Sequence, residues 1–242
     1  MQSFLDRSPD ADLDKLVREL AARRNGGRRR SLRLKAWRFT VISAYVMKRA
    51  IDIVGSGLGM LILSPVFLAI AIAVRLSSPG PVIFSQIRVG RYGRHFKFYK
   101  FRSMRQDAEA LKENLKSQNE SKDGVIFKMK DDPRITKVGR FIRHASLDEL
   151  PQLWNVFIGD MSLVGPRPPV PSEVREYTLE DRKRLDVIPG ITCLWQVNGR
   201  SDIPFNEQVR LDKEYILTPG VWKDFKILLK TIPAIISGKG AY

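Results

Sequence analysis

In the stretch Ser146-Leu147-Asp148-Glu149, two adjacent carboxylates follow Arg143 and His144 and precede an apolar run. Acids are scarce around them, because the chain carries 42 Lys and Arg against 26 Asp and Glu, a formal charge of +16. Two readings suit the pattern. Ser-x-x-Glu is the capping box of a helix N-terminus, in which Ser146 accepts from a backbone N–H and Glu149 reaches back to the cap. Pro151 weakens that reading, since proline fits the first helical position better than the fifth. The second reading is nucleophilic. A helix N-terminus favours the ionised carboxylate, and an ionised Asp148 beside Arg143 is competent to attack phosphorus. The two are compatible, with the cap holding the nucleophile.

Cations elsewhere bear on the choice. Arg167 lies in Gly-Pro-Arg-Pro-Pro, where prolines fix the backbone and aim one guanidinium, and Arg200 follows the turn signal Asn198-Gly199. Lys100 and Arg102 lie in or just beyond an alternating segment that predicts a strand. Taken singly, Arg167 reads as a surface turn and the others as solvated side chains. Together they suit a diphosphate, since arginine pairs bidentately with phosphate oxygens. Neither a P-loop nor a dinucleotide fingerprint is present, so no motif names the nucleotide. A single cysteine, Cys193, excludes an intramolecular disulfide and a Cys-based zinc site, and two histidines, His95 and His144, are too few for a His-rich centre. A bound metal would take carboxylate or phosphate oxygens, which suits Mg²⁺.

The elements that must position these groups are legible in outline. Between Leu20 and Ile51 there are ten basic residues and no acid, and the next stretch, 53–74, is uncharged. About 20 such residues suffice to cross a bilayer. Ser64-Pro65 in its centre predicts a kink, and basic residues at both ends (Lys48-Arg49 and Arg75) fit a hairpin that enters and leaves by one face as well as a span. Residues 13–24 have helical spacing and precede an arginine cluster suited to anionic lipid. Residues 82–90 and 95–101 alternate around Gly-Arg-Tyr-Gly-Arg and predict a β-hairpin. Helices are expected over 107–120, 149–157, 205–216 and 220–238, the last amphipathic, with a loop and short strand over 121–137.

Five stretches together carry a resemblance: KRAIDIVGSGLGMLILSP (48–65), GPVIFSQIRVGRYGRHFKFYKFRSM (80–104), SLDELPQLWNVFIGDMSLVGPRP (146–168), PGIT (189–192) and WQVNGR (195–200). In this order they resemble the bacterial sugar transferases, the monotopic polyprenyl-phosphate phosphoglycosyl transferases. The resemblance implies transfer of a sugar 1-phosphate from a UDP-sugar, UDP-glucose or UDP-galactose favoured, to undecaprenyl phosphate, with release of UMP. It implies Asp148 as nucleophile of a covalent ping-pong reaction, Glu149 as second member of the dyad, and Mg²⁺ held by Asp148 and Glu149. It places Lys100, Arg143, Arg167 and Arg200 on phosphate or nucleotide, and it makes Ser64-Pro65 the break of a re-entrant membrane helix. The expected fold is α+β and mainly helical: a kinked re-entrant hairpin, amphipathic interfacial helices and a small β-hairpin around a catalytic site on the cytoplasmic face of the inner membrane. Its expected divisions are a basic leader (1–47), the re-entrant helix (48–76) and the catalytic domain (77–242), a minimal unit without the further helices of larger members. Expected partners are the UDP-sugar, undecaprenyl phosphate and an anionic lipid bilayer, with no nucleic acid; homo-oligomerisation stays open. Cys193 stands where the family pattern has glycine, which puts the backbone of that loop in question. Two rival readings remain: a membrane-tethered nucleic-acid-binding protein, resting on charge alone, and a non-catalytic membrane scaffold.

Overall fold

The computed structural model describes residues 28–108, 110–111, 129, 132–199 and 203–237, with side chains from 33 onward. The helix expected over 13–24, most of the helix expected over 107–120, most of 121–137 and Arg200 lie outside the described residues. Contacts divide the chain into two units, Met1–Lys48 and Arg49–Tyr242. In the first, the described residues form the opening turns of α1 (Arg28–Ile62), with Trp37, Phe39 and Val46 exposed.

In the second unit α1 ends and α2 (Ser64–Ser77) follows after one residue. Pro65 has no N–H to give the Leu61 carbonyl, its partner four residues back, and the helix breaks there. The Ser64 hydroxyl takes over that carbonyl at 2.8 Å, so the break leaves no orphaned acceptor at Leu61. No single helix among the described residues is long and apolar enough to cross a membrane; α1 and α2 meet that test only together, bent by 62°. The expected hairpin is thus an open bend rather than two antiparallel arms. Leu61, Leu68 and Leu76 are exposed along it, while Ile70 and Val74 face inward.

The alternating segment forms the expected hairpin: β1 (Ile83–Val89) pairs antiparallel with β2 (His95–Phe101) around a turn in which Gly93 adopts φ +79°. One face of β2 sends Phe101 into a cluster with Ile70, Val74 and Ile142, the last from α3 (Lys137–His144). The other face carries Phe98, buried against Val156 of α4 (Gln152–Ile158) and Met161. Each such fully buried side chain contributes about 1.5–3 kcal/mol relative to exposure. Beyond α4, β3 (Ser162–Val164), α5 (Pro171–Arg175) and α6 (Leu179–Arg182) lead to β4 (Gly190–Thr192), which pairs parallel with β3. Two glycines close this pair: a Cβ on Gly165 would meet the Ile188 carbonyl at 2.6 Å, and one on Gly190 would collide with the Gly165 backbone. Then α7 (Leu194–Asn198), α8 (Phe205–Leu217) and α9 (Val221–Ser237) complete the unit, the last two close to their expected bounds. α9 buries Ile227 and presents Trp222, Phe225, Leu229 and Ile236 outward. The fold is mainly helical with small sheets, as expected; the parallel β3–β4 pair was not legible in the sequence.

Candidate active site

The two carboxylates do not cap α4. Ser146 adopts the left-handed conformation (φ 54°) and makes no side-chain cap bond; Asp148 and Glu149 lie on the 3₁₀ turn Leu147–Glu149 that follows. α4 itself starts at Gln152 with Pro151 at its N-cap, three residues later than expected, which agrees with proline's preference for a helix start. The capping-box reading is therefore corrected: Glu149 reaches across to another element instead of back to its own turn. Its Oε1 accepts from Lys100 Nζ at 2.7 Å and from Arg167 Nη1 at 3.3 Å. Lys100 also stands 3.5 Å from Asp148 Oδ2. Lys100 is not the solvated side chain, nor Arg167 the surface turn, that each looks like singly. Arg143, in the last turn of α3, acts on Asp148 through space, whereas the direct cation neighbour is Lys100.

This geometry separates two acids that are identical in local sequence setting. Asp148 is 6% exposed. Burial raises its carboxyl above the ordinary value, Lys100 opposes the rise, and the Glu149 charge adds to it. Burial also opposes the charge of Glu149, but Lys100 and then Arg167 outweigh it and hold that carboxyl at about 2. Glu149 is thus a fixed anion that organises two cations. Burial instead makes ionisation of Asp148 costly, and a carboxylate ionised against that cost is the more reactive of the two.

Asn155, fully buried in α4, ties the helix that follows the two carboxylates to the lysine's strand. Its Nδ2 donates to the Lys97 carbonyl at 2.7 Å, and its Oδ1 accepts from the Tyr99 N–H at 3.2 Å. Two side chains of α1 hold the neighbouring pieces. Arg49 donates to the Val156 and Phe157 carbonyls at 2.6 and 2.8 Å, capping the C-terminus of α4. Asp52 Oδ1 accepts from Ser162 Oγ at 3.0 Å and from the Leu163 N–H at 2.9 Å, fixing the strand that leads to Arg167. Asn155 and Asp52 were not singled out from the sequence, and Arg49 only as a basic flank of the uncharged stretch. Asp52 carried a faint signal, as the first acid after a long basic stretch and directly before the uncharged one.

Lys100, Arg143, Asp148, Glu149 and Arg167 line one cavity of about 750 Å³. Ser64 and Pro65 do not line it; they shape the bend between α1 and α2. Arg200 lies outside the described residues. Further charged groups line the cavity, among them Arg88 from β1 and Glu173 from α5. The alternation that predicted the hairpin could have found Arg88, since it shares a strand face with Gln86 and Phe84. Cys193 causes no distortion: its φ of −150° is extended, and its buried Sγ donates to Gln196 Oε1 at 3.1 Å. Burial pushes that thiol up, so it is a structural cysteine and not a nucleophile.

The donor set also bears on Mg²⁺. The ion usually takes one or two carboxylates and completes its shell with water and substrate phosphates. Asp148 and Glu149 meet that demand, and among the described residues no group of three or more His, Cys, Asp or Glu gathers into an all-protein cage. The site fits Mg²⁺ only with a phosphate-bearing substrate present.

The family model for bacterial sugar transferases matches residues 43–238. The chain is 49% identical over 205 residues to galactosyl transferase CpsE of Streptococcus agalactiae, covering 84% of this chain and 45% of that protein. It is 45% identical over 206 residues to the undecaprenyl-phosphate galactose phosphotransferase of Salmonella typhimurium, covering 83% and 42%. The exopolysaccharide production protein ExoY of Rhizobium meliloti is 38% identical over 198 residues, covering 81% of this chain and 88% of its own length. The chain thus spans less than half the length of the first two relatives and most of the third.

Proposed function

The chain belongs to the bacterial sugar transferase family, and we propose that it moves a sugar 1-phosphate from a UDP-hexose to undecaprenyl phosphate, releasing UMP. The observation that carries this reading is the buried Asp148 standing beside the Lys100–Glu149–Arg167 chain in a single cavity. In the first displacement an Asp148 oxygen attacks the sugar-bearing phosphorus. The bond from that phosphorus to the bridging oxygen breaks, and its electron pair leaves with UMP. In the second, an oxygen of the lipid phosphate attacks the same phosphorus, and the bond to Asp148 breaks to restore the carboxylate. Lys100 and Arg143 hold the anionic substrate against an anionic nucleophile, and Glu149 keeps Lys100 and Arg167 in place. Mg²⁺, held by Asp148 and Glu149 together with diphosphate oxygens, would supply neutralisation of the leaving phosphate.

Galactose or glucose is the proposed sugar. Two of the relatives described above are named for galactose. The proposed setting is the cytoplasmic face of the inner membrane. The 62° bend, the exposed leucines of α1 and α2 and the outward Trp222 and Phe225 of α9 support a membrane-embedded bend flanked by interfacial helices. The basic stretch ahead of the bend supports an anionic lipid surface as partner. The leader, re-entrant and catalytic divisions at 1–47, 48–76 and 77–242 belong to the same proposal. UMP release from a panel of UDP-sugars, by protein in nanodiscs with Mg²⁺ and undecaprenyl phosphate, tests it. Release with a hexose donor is expected, stoichiometric without the lipid phosphate and catalytic with it; no release with any donor contradicts it and favours a scaffold.

A further inference from the structure

Arg88 lies on the cavity face of the hairpin. The register pairs Phe84 with Lys100, Gln86 with Phe98 and Arg88 with Phe96, so Arg88 and Lys100 share one side of the sheet. Its guanidinium is fixed from two directions. Nη1 donates to the Pro168 carbonyl at 3.0 Å, one residue past Arg167, and the group lies over the Phe98 ring at 5.1 Å. Nε is buried, and among the described residues nothing accepts from it. A buried donor in this state is poised for an acceptor on a ligand.

The charges around it point to the sign of that ligand. Burial and then the like charge of Arg167 pull Arg88 down to about 10, and Glu173 and Glu149 offset this only in part. Glu149 is already engaged by Lys100 and Arg167. An anion between the two guanidinium groups would relieve their repulsion.

Position along the cavity says which anion. The register sets Arg88 opposite Phe96, four residues and about 13 Å of strand away from Lys100, and Arg88 is bonded to the residue that follows Arg167. Asp148, 3.5 Å from Lys100, and Arg88 therefore stand toward opposite ends of the Lys100–Glu149–Arg167 chain. Phosphoryl transfer runs with attacking and leaving oxygens roughly in line, so a phosphate leaving from a phosphorus attacked by Asp148 departs toward Arg88.

We propose that Arg88 and Arg167 form the site for the leaving nucleotide's phosphate, with Arg88 its outer ligand. This rests on the transferase reading above. Since the second displacement must also run in line with the breaking bond to Asp148, the lipid phosphate enters through the same site after UMP has left.

Calorimetric binding of UMP and of uridine to the protein in nanodiscs tests this, for wild type, Arg88→Gln and Arg88→Lys, with UMP release from the donor assayed alongside. Arg88→Gln is expected to weaken UMP about ten- to a hundredfold, the loss of a charge-assisted hydrogen bond, while uridine stays within about twofold. Arg88→Lys restores part of the UMP affinity, because it returns the charge without the planar fork. Unchanged UMP affinity in Arg88→Gln, or equal weakening of UMP and uridine, overturns the assignment. Wild-type protein that binds UMP through Arg88 yet releases none from any donor overturns the transferase reading and leaves the phosphate site standing. Wild-type protein that binds no UMP overturns both.

Discussion

Lys100 Nζ stands 2.7 Å from Glu149 Oε1 and 3.5 Å from Asp148 Oδ2, so one lysine serves two adjacent carboxylates unequally. The inequality divides their roles. Glu149, with Arg167 as its second cation, is held ionised at about 2, while burial leaves Asp148 raised above the ordinary aspartate value.

A pH dependence follows. A protonated Asp148 cannot attack, so kcat/KM for the donor rises with pH through the Asp148 titration, which lies above the usual aspartate range because burial disfavours the charge. Glu149→Gln removes a charge that raises Asp148 and leaves Lys100 to serve Asp148 alone. The acid limb of kcat/KM is then expected to move to lower pH even as the rate falls. A limb that stays put in Glu149→Gln would separate the two carboxylates energetically.

Lys100→Met keeps the bulk of the side chain and removes its charge. The loss of one preorganised cation at the reacting phosphate is expected to lower kcat about 100- to 1000-fold. Without Lys100 the two carboxylates also repel more strongly, so the acid limb should shift upward, opposite to Glu149→Gln. The two shifts are read from the same pH profiles.

Asn155 bridges α4 to the backbone of Lys97 and Tyr99. Asn155→Ala takes the side-chain partner from a part-buried carbonyl and a part-buried N–H and is expected to cost about 1–3 kcal/mol, measured by thermal unfolding. It also loosens the turn carrying Asp148 relative to the strand carrying Lys100, so kcat should fall more than KM rises.

Asp52→Ala tests the link from the bent helices to the site. The Ser162 hydroxyl and the Leu163 amide both lose their acceptor inside the protein, for about 2–3 kcal/mol of stability. Asp52→Asn keeps an accepting oxygen and should lose clearly less. Equal loss in both would assign the effect to charge instead of to these two hydrogen bonds.

Much of this arrangement was legible before the fold was known. Alternation over 82–90 and 95–101 predicts the hairpin because a half-buried strand has period two, and Ser64-Pro65 predicts the break because the missing N–H is a local fact. The start of α4 was misread because the capping-box pattern does not say that Ser146 will turn left-handed. What stayed hidden is long-range. Asp52 meets Ser162 across 110 residues, Asn155 meets Lys97 across 58, and nothing near either side chain names its partner. Arg88 looked like any strand arginine until Pro168 and Arg167 were brought beside it.

The central claim is that Asp148 becomes covalently attached to the sugar phosphate. Intact-protein mass spectrometry of the enzyme mixed with Mg²⁺ and UDP-galactose or UDP-glucose, without lipid acceptor, tests it directly. The account predicts an added mass of one hexose phosphate, localised to Asp148, absent in Asp148→Asn and discharged by undecaprenyl phosphate. UMP release and product formation with no such adduct, or an adduct that persists in Asp148→Asn, would contradict it.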